Sequence, residues 1–352
     1  MQEQLITKQY HMAIVKLNFN LNTTSVRHAN DIAINVSDNG QTPAKPGMLK
    51  CTTATGIYNK DYDIVQISLS ISDLTATPLH TAFEEVCRCA EYRGIRVTGA
   101  ELVTPVNKQV LIMAGKHFLE KQHCSVGIPE TDIIRMTVRS MGLDDLYPFI
   151  PSEMIIEYQE YHHEPKLTDL TINDFAEEAS REDSTIGGGA MAAYMGALAA
   201  AVGTMVANIS SAKVGWEDRW QEFSDWAAMG QDMVRQLLQL VNEEKTARAE
   251  AIQHPTAHTA QVPLRTMKVA SQAFLICKAM AKEGTPSCIS DAGAGALAAR
   301  AAVLAAGLKV KNNAIQLEDR ELAAQLISEA DELINRANTH EAEIMALVTG
   351  SM

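Results

Sequence analysis

Apolar and polar residues alternate with two different periodicities along the chain, and the periodicity changes near residue 160. In the first part apolar residues alternate with polar ones, a pattern that is typical of half-buried strands. Segments with helical spacing lie between these strands, and two more helices are predicted at 108–121 and 130–141. The strands and intervening helices are predicted, in chain order, at 11–22, 24–36, 48–58, 63–71, 78–94 and 95–103.

This order of elements, β-α-β-β-α-β, is the split βαβ or ferredoxin-like pattern. From residue 171 onward the chain shows helical spacing, and Thr171 with Asp174 forms a helix-start pattern. We therefore predict an α+β protein with a ferredoxin-like subdomain in 1–158, a linker at 159–166 and an all-helical bundle in 167–352. The bundle helices are predicted to begin near residues 171, 188, 218, 262, 290 and 319.

Two long runs of small apolar residues raise the question of a membrane span. The run at 187–207 has no charged residue, and the run at 292–310 carries Arg300 in its middle. Both are rich in alanine and glycine, which hydrocarbon favours only weakly, and small residues let helix backbones approach closely. We predict two helices packed together inside a bundle, with no membrane partner.

Composition narrows the class of protein further. The chain has 352 residues, 46% of them hydrophobic, and a net charge of −13, which argues against nucleic acid because phosphate binding needs clustered cations. Its six cysteines show no CxxC pair and no spacing with histidine that fits zinc, so we expect free thiols and no metal site. The N-terminus shows no secretion signal, and we expect a cytoplasmic protein.

Three consecutive glycines precede the first small-residue run, in the stretch STIGGGAMAAY that begins at Ser184. Glycines before a helix free the backbone to approach a ligand, and the N-terminus of a helix attracts anions. Gly187, Gly188 and Gly189 match neither GxGxxG nor GxxxxGK[ST], so a nucleotide site is not indicated. From the residues alone, a ligand site and a simple helix-packing role both remain open.

The second small-residue run has polar groups at both ends. Asp291 stands directly ahead of it, either as a helix N-cap or as a carboxylate placed for proton transfer. At the other end stand Lys309, Lys311, Asn312 and Asn313, which suit a solvated helix end or a site for carboxylates. The spacing of these residues does not by itself indicate which reaction the protein catalyses.

Several long segments, in the same order, resemble the formimidoyltransferase-cyclodeaminase family. In the first part these are LNFNLNTTSVRHANDIA, IVQISLSISDLTATPLHTAFEEVCRCAEYRGIRVTGAELV and SMGLDDLYPFIPSEMIIEY. They resemble the C-terminal subdomain of the family's transferase domain. In the second part, IGGGAMAAYMGALAAAVGTMVANISSAKVGWEDRWQEFSDWA, EKTARAEAIQ, VPLRTMK and SDAGAGALAARAAV resemble its helical cyclodeaminase domain.

The resemblance implies a folate-dependent one-carbon enzyme of histidine degradation. In the family, one domain moves a formimino group from N-formimino-L-glutamate to tetrahydrofolate, which is the carrier substrate. The other closes the 5-formimino group onto N10, releases ammonia and leaves 5,10-methenyltetrahydrofolate. The expected ligands are folate derivatives, including polyglutamylated forms. The family also implies a homo-oligomer through the helical domain, with the site near the dimer interface.

On this resemblance we assign candidate residues by position. Asp291 is the candidate for proton handling or pterin binding, and the three glycines, with Ser184, are expected to line the folate site. Weaker candidates for contacts with the glutamate tail are Lys213, Lys311 and Asn313.

The sequence departs from the family pattern at four places. The N-terminal transferase subdomain, which carries the family's catalytic histidine, is expected to be missing, and residues 104–113 differ from the family's GLxPLKAML stretch. The family's Pro-Gly-Gly-Gly-Ser turn here starts with Ile186 and ends with Ala190. A helix segment is shortened near Asn242, where the family has an aspartate.

These departures leave three functions open. The first is a cyclodeaminase with an incomplete glutamate formimidoyltransferase remnant. The second is a methenyltetrahydrofolate cyclohydrolase, which ammonia release would distinguish from the first. The third is a catalytically silent protein that binds folate or assembles through its helical domain.

Overall fold

The structure is a computed structural model that describes residues 14–42, 45–159, 166–182, 184–253 and 256–351. Its contacts divide the chain into two compact units, 1–122 with 129–162 and 123–128 with 163–352. The predicted linker is close to this division, but its residues 160–165 lie outside the described ones. The predicted boundaries did not place 123–128 with the helical unit. The predicted α+β class is confirmed.

The first unit contains a four-stranded antiparallel sheet in the order β2-β3-β1-β4. Its elements follow the predicted order, whereas the ferredoxin-like classification stays a prediction. In chain order they are β1 Val15–Leu21, α1 Val26–Val36, β2 Thr52–Asn59, β3 Ile64–Ile71, α2 Leu79–Glu91 and β4 Val97–Leu102. Two longer helices, α3 Lys108–Lys121 and α4 Glu130–Met141, begin and end at the predicted residues, and the short helix α5 is Pro151–Met154.

Period-two alternation explains the first strand. Leu17 and Phe19 are fully buried on one face of β1, while Asn18 and Asn20 lie on the other. The helix that follows begins where expected, because the Ser25 side chain accepts a hydrogen bond from the His28 backbone N–H. Local pattern and capping therefore suffice to account for this part of the unit.

The second unit contains six α-helices among its described residues. Five begin within two residues of the predicted positions, and Thr171 caps the first of them. Helix α9 begins five residues before the prediction because Pro263 lies inside it rather than at its start. The helices are α6 Ile172–Ala179, α7 Gly188–Ser211, α8 Trp220–Gln253, α9 Ala257–Glu283, α10 Ile289–Ala314 and α11 Arg320–Ser351.

Helices α7 and α10 are the two small-residue runs, and they pack against each other in opposite directions. A Cβ at Gly295 of α10 would lie 3.3 Å from the backbone oxygen of Ala199 on α7, so the two backbones are close. By length and composition alone, 188–211 and 286–314 could each cross a membrane. However, 61% and 50% of their apolar windows are buried inside the protein, and buried core helices pass the same test. They form much of the core of the helical unit.

Residues 123–128 pack on α7 and α8 as part of the helical unit. Asn208 of α7 donates to the Gly127 backbone oxygen at 2.7 Å, and Ser224 of α8 accepts from the Val126 backbone N–H at 3.1 Å. A Cβ at Gly127 would lie 2.2 Å from the backbone of Ala227, so only glycine fits there. The six cysteines are free thiols, as predicted.

Candidate active site

Helix α7 starts from the predicted glycine turn. Gly187 is its N-cap residue, with φ −112° and ψ 179°, and no side chain caps the helix. Ser184 is buried, and its hydroxyl accepts from the Ile186 backbone N–H at 2.9 Å and donates to the Ile186 oxygen at 3.1 Å. The Ser184 hydroxyl thus shapes the turn, while the first N–H groups of α7 have no side-chain acceptor from the cap.

Two of the three glycines are places where side chains of α8 cross the backbone of α7. A Cβ at Gly189 would lie 1.9 Å from Oε2 of Glu244, and one at Gly187 would lie 2.4 Å from Nη1 of Arg248. At Gly188 the nearest atom is Cδ of Lys309, at 4.0 Å. The glycines therefore bring a carboxyl and two cations to the start of α7.

A cavity of about 280 Å³ opens beside this turn, between the C-terminal ends of α8 and α10. We call it the glycine-turn cavity. It combines one carboxyl group, two cations, three amide side chains and a small apolar wall. Its lining residues are Glu244, Ala247, Arg248, Ala251, Ile252, Lys309, Asn312, Asn313 and Gln316.

Glu244 is the buried acid of the cavity. Its side chain is only 6% exposed, and its Oε1 atom has no hydrogen-bond partner. Burial raises the pKa of the Glu244 carboxyl from 4.5 to about 7, with the charge of Lys309 acting in the opposite direction and that of Glu243 adding to the rise. A carboxyl with this pKa gains and loses a proton near neutral pH, as a general acid or base must.

The two cations of the cavity are half-buried, and neither Arg248 nor Lys309 forms an ion pair within the described part of the chain. Their neighbours behave differently. Lys311 pairs with Asp331 at 2.5 Å, and Arg265 pairs with Glu243 at 2.6 Å. The cavity thus holds positive charge that an anionic ligand group would balance.

Asn313 lines the cavity but also supports the helix beside it. Pro263 has no N–H, so the carbonyl of Thr259, four residues before it in α9, lacks its helical donor. The Asn313 side chain donates to this Thr259 oxygen at 2.6 Å and is 8% exposed. Its Nδ2 atom therefore serves the fold, whereas Asn312 and Gln316 are more exposed.

The structure does not bring Asp291 to the cavity. Helix α10 begins at Ile289 with Cys288 as its N-cap, so the alternative of Asp291 as the N-cap is wrong, and Asp291 lies in the first turn. Lys309 stands 18 residues later on the same helix. At 1.5 Å per residue this separates the two backbones by about 27 Å.

The other predicted polar residues have partners of their own. Lys213 follows the C-terminal end of α7, with Nζ 3.8 Å from the ring centroid of Trp216, so it lies at the end far from the glycines. Lys311 lies near the cavity but is held by Asp331. Asn242, near the shortened segment, exchanges hydrogen bonds with Thr168, to which its Nδ2 donates at 3.1 Å.

Sequence reasoning did not single out Glu244 or Arg248. A signal was present, because Leu237, Leu240, Val241 and Ala247 are buried and Glu244 continues their helical spacing. An ionisable residue at an apolar position of a periodic helix is costly unless it has a function or a partner. That rule would have directed attention to Glu244.

The sheet of the first unit carries a second polar arrangement. The buried Gln66 side chain donates a hydrogen bond to Asn20 at 2.8 Å. Asn20, which is also buried, donates to Asp145 at 3.1 Å. Asn18 donates to Glu101 at 3.0 Å, while its own Oδ1 atom is buried without a partner. Across the described ranges, no three His, Cys, Asp or Glu side chains are grouped to hold a metal ion.

In the helical unit, a buried acid and two half-buried cations therefore lie beside one glycine turn. Two family models match this chain: "Formiminotransferase domain" over 16–160, and "Formiminotransferase-cyclodeaminase" over 171–243 and 238–332. The chain belongs to the formimidoyltransferase-cyclodeaminase family.

Individual relatives agree with this assignment. The mouse formimidoyltransferase-cyclodeaminase is 29% identical over 95% of this chain, and the chain spans 65% of the length of that relative. A methenyltetrahydrofolate cyclohydrolase from Methylorubrum extorquens is 28% identical over 51% of this chain and 95% of its own length. The solved formiminotetrahydrofolate cyclodeaminase from Thermotoga maritima aligns with a TM-score of 0.50 at 20% identity, over 53% of this chain and 98% of that chain, which shows likeness of fold.

Proposed function

We propose that this chain is a folate-dependent one-carbon enzyme whose helical unit cyclises 5-formimidoyltetrahydrofolate to 5,10-methenyltetrahydrofolate with release of ammonia. The observation that carries the proposal is Glu244, a buried carboxyl with a pKa of about 7 beside the glycine turn and two cations that pair with no described residue. The reaction needs a proton donor at the nitrogen that leaves. Tetrahydrofolate is its carrier substrate, and histidine degradation its proposed setting.

A single carboxyl group can carry out all the proton transfers of this reaction. Protonated Glu244 donates to the formimino nitrogen, and N10, held close by binding, attacks the formimino carbon. The proton lost by N10 returns to the Glu244 carboxylate and passes to the same formimino nitrogen. The bond between this nitrogen and carbon then breaks, ammonia leaves, and the methenyl cation remains. One proton is consumed for each turnover.

The same cavity suggests how the substrate is oriented. Its volume of about 280 Å³ is below the ~300–1,000 Å³ of pockets that enclose a whole ligand, so it takes one end of the folate. Arg248 and Lys309 would balance the charge of a carboxylate of the glutamate tail, including polyglutamylated forms. Gly188 leaves the start of α7 open on the side of Lys309.

The remaining residue assignments stay predictions in this scheme. Ser184, Gly187 and Gly189 shape the site, whereas a catalytic role for Asp291 and a tail contact for Lys213 require a site at the other end of the bundle. The first unit, which the formiminotransferase domain model matches over 16–160, is proposed as a ferredoxin-like transferase remnant.

A methenyltetrahydrofolate cyclohydrolase is the second candidate function. Its support is the Methylorubrum extorquens relative, which aligns over 95% of its own length. In that reaction water attacks the methenyl carbon, and Glu244 would accept a proton from the water. Ammonia as a product distinguishes the two reactions. Folate binding without turnover would instead favour a silent binding protein.

We also propose that the chain forms a homo-oligomer through its helical unit in the cytoplasm. Helix α7 carries apolar residues at alternating spacings of four and three, of which four are exposed and two half-buried. This spacing is that of a helix-pairing seam. Sedimentation of the purified chain tests it, and a monomer would contradict it. The seam residues are Met191, Met195, Leu198, Val202, Met205 and Ile209.

The test of the proposed activity is the variant Glu244→Gln, which keeps the shape of the side chain and removes its acid. Removing a general acid typically lowers turnover by about 10²–10⁴-fold. The measurement follows ammonia and the methenyl product together, with 5-formimidoyltetrahydrofolate as substrate. Glu329→Gln is the matched control, since Glu329 pairs with Lys268 at 2.7 Å and lies outside the cavity lining. Equal turnover by Glu244→Gln and wild type would refute the assignment.

A further inference from the structure

The charge of the glycine-turn cavity depends on one proton. Arg248 and Lys309 supply two positive charges, and Glu244 supplies a negative charge only when it is ionised. These three groups line the same cavity, and Glu244 and Arg248 lie one helical turn apart on α8. Any anion that enters must therefore interact with both cations and with the protonation of Glu244.

Few other charges face Glu244. Helix α7 has no charged residue at all, and α10 contributes Lys309, with Lys311 turned to Asp331. On α9, Arg265 and His258 pair with Glu243 and Glu250 of α8. Before α6, Asp169 accepts a hydrogen bond from the backbone of Lys166. Lys309 and Glu243 are the charges that act on the Glu244 carboxyl, in opposite directions.

Lys309 is thus the charge that keeps the buried carboxyl ionisable. A buried carboxylate is unfavourable by itself, and a nearby cation offsets part of this cost. An anionic group bound between Lys309 and Arg248 would cancel that help and add its own repulsion. The balance would then shift toward the protonated form of Glu244.

We propose that binding of an anionic ligand at Lys309 and Arg248 drives proton uptake by Glu244, so that the substrate itself loads the catalytic acid. This inference rests on the proposed function, because it takes the ligand to be a folate carboxylate. Proton uptake on binding would provide the proton that the cyclisation consumes. Lys309 acts here as a positioning residue, since it works through Glu244 and not on the reacting atoms.

Calorimetric titration of the full chain with folic acid tests the coupling without turnover. Folic acid has the same carboxylates but no formimino group to cyclise. At pH 7.5 the observed binding heat is compared in two buffers of different ionisation enthalpy, and its dependence on the buffer gives the protons taken up. If binding raises the pKa of Glu244 by about one unit, about half a proton is taken up per site.

Variants assign the proton to its source. Glu244→Gln should bind folic acid with no net uptake. Lys309→Gln should bind more weakly and take up less, because its Glu244 is already protonated before binding. Lys278→Gln is the matched control: Lys278 pairs with Glu343 at 2.5 Å and lies outside the cavity lining, so uptake should equal that of wild type.

The outcomes separate the inference from the proposed function. Binding with no proton uptake, or with the same uptake in Glu244→Gln, overturns the coupling and leaves the cyclodeaminase proposal standing. Failure of folic acid to bind at all overturns both. Uptake that needs both Glu244 and Lys309 supports both.

Discussion

The two ends of the α7–α10 pair differ in how their polar groups are satisfied. At the end where Lys213 and Asp291 lie, two cations have partners: Lys213 lies over Trp216, and Arg219 pairs with Glu222 and Glu283 at 2.9 and 2.8 Å. At the glycine-turn end, Glu244 has an unpartnered oxygen, and two nearby cations form no ion pair with any described residue. Buried polar groups normally find partners, so the glycine-turn end is the one where we propose the ligand site.

The largest expected effect is on the free energy of unfolding, because burying the Glu244 carboxyl destabilises the folded state when the carboxyl is ionised. Unfolded, Glu244 has a pKa near 4.5, and folding raises it to about 7. Between these values the folded state holds a proton that the unfolded state has lost, so stability falls as the pH rises through this window. A shift of 2.5 pKa units corresponds to about 3 kcal/mol at pH 8.

Glu244→Gln should therefore be more stable than wild type by about 3 kcal/mol at pH 8, while the pH-dependent difference vanishes near pH 4. Urea unfolding followed by tryptophan fluorescence measures this, because Trp216, Trp220 and Trp226 all lie in the helical unit. Glu329→Gln is the control with the same change of charge, because Glu329 pairs with Lys268 and its charge does not act on Glu244. If Glu244→Gln is less stable than wild type at pH 8, the Glu244 carboxylate stabilises the fold. The proposed difference between the two ends of the α7–α10 pair would then be wrong.

Local pattern predicted the fold well because its determinants are local. The alternation in β1, the Ser25 cap and the bounds of α3 and α4 follow from neighbours in sequence. The start of α9 was misplaced because a proline can occupy a helix when a distant side chain, here Asn313, satisfies the freed carbonyl. No sequence window around residue 263 contains that information.

The candidate site was predicted only in part, for a similar reason. The glycines are visible in sequence, but what they admit is a side chain of another helix: Glu244 lies 55 residues after Gly189. Asp291 attracted attention because it stands at a helix start, a local property. Which end of a helix carries unsatisfied groups depends on packing between helices, and spacing along one chain segment does not reveal it.

Gly189→Ala tests whether the position of the Glu244 carboxyl at the glycine-turn end controls the rate of turnover. The new Cβ would lie 1.9 Å from Oε2 of Glu244, the far end of a flexible side chain, so the carboxyl moves while the helix stays. A displacement of about 1 Å can cost about 10²-fold in rate, and we expect a fall of this size in kcat.

Gly187→Ala is the matched variant, because its Cβ meets Nη1 of Arg248 at 2.4 Å instead. Displacing a cation that binds substrate should raise KM more than it lowers kcat. Steady-state kinetics on both variants, with circular dichroism to verify folding, makes the measurement. If both alanines change kcat and KM alike, the carboxyl and the cation do not have the separate roles assigned to them.

The smallest effect is expected at Asp291, at the end of the α7–α10 pair far from the glycine turn. Asp291→Asn removes a carboxylate from the first turn of α10, where it interacts favourably with the helix N-terminus, at a cost of about 0.3–1 kcal/mol in stability. Because about 27 Å separates Asp291 from Lys309 along the helix, turnover should change by less than about twofold. Ammonia release, measured beside Glu244→Gln in one assay, decides between the ends. A loss as large as that of Glu244→Gln would place chemistry at the Asp291 end, and the unsatisfied groups of the glycine-turn cavity would then need another explanation.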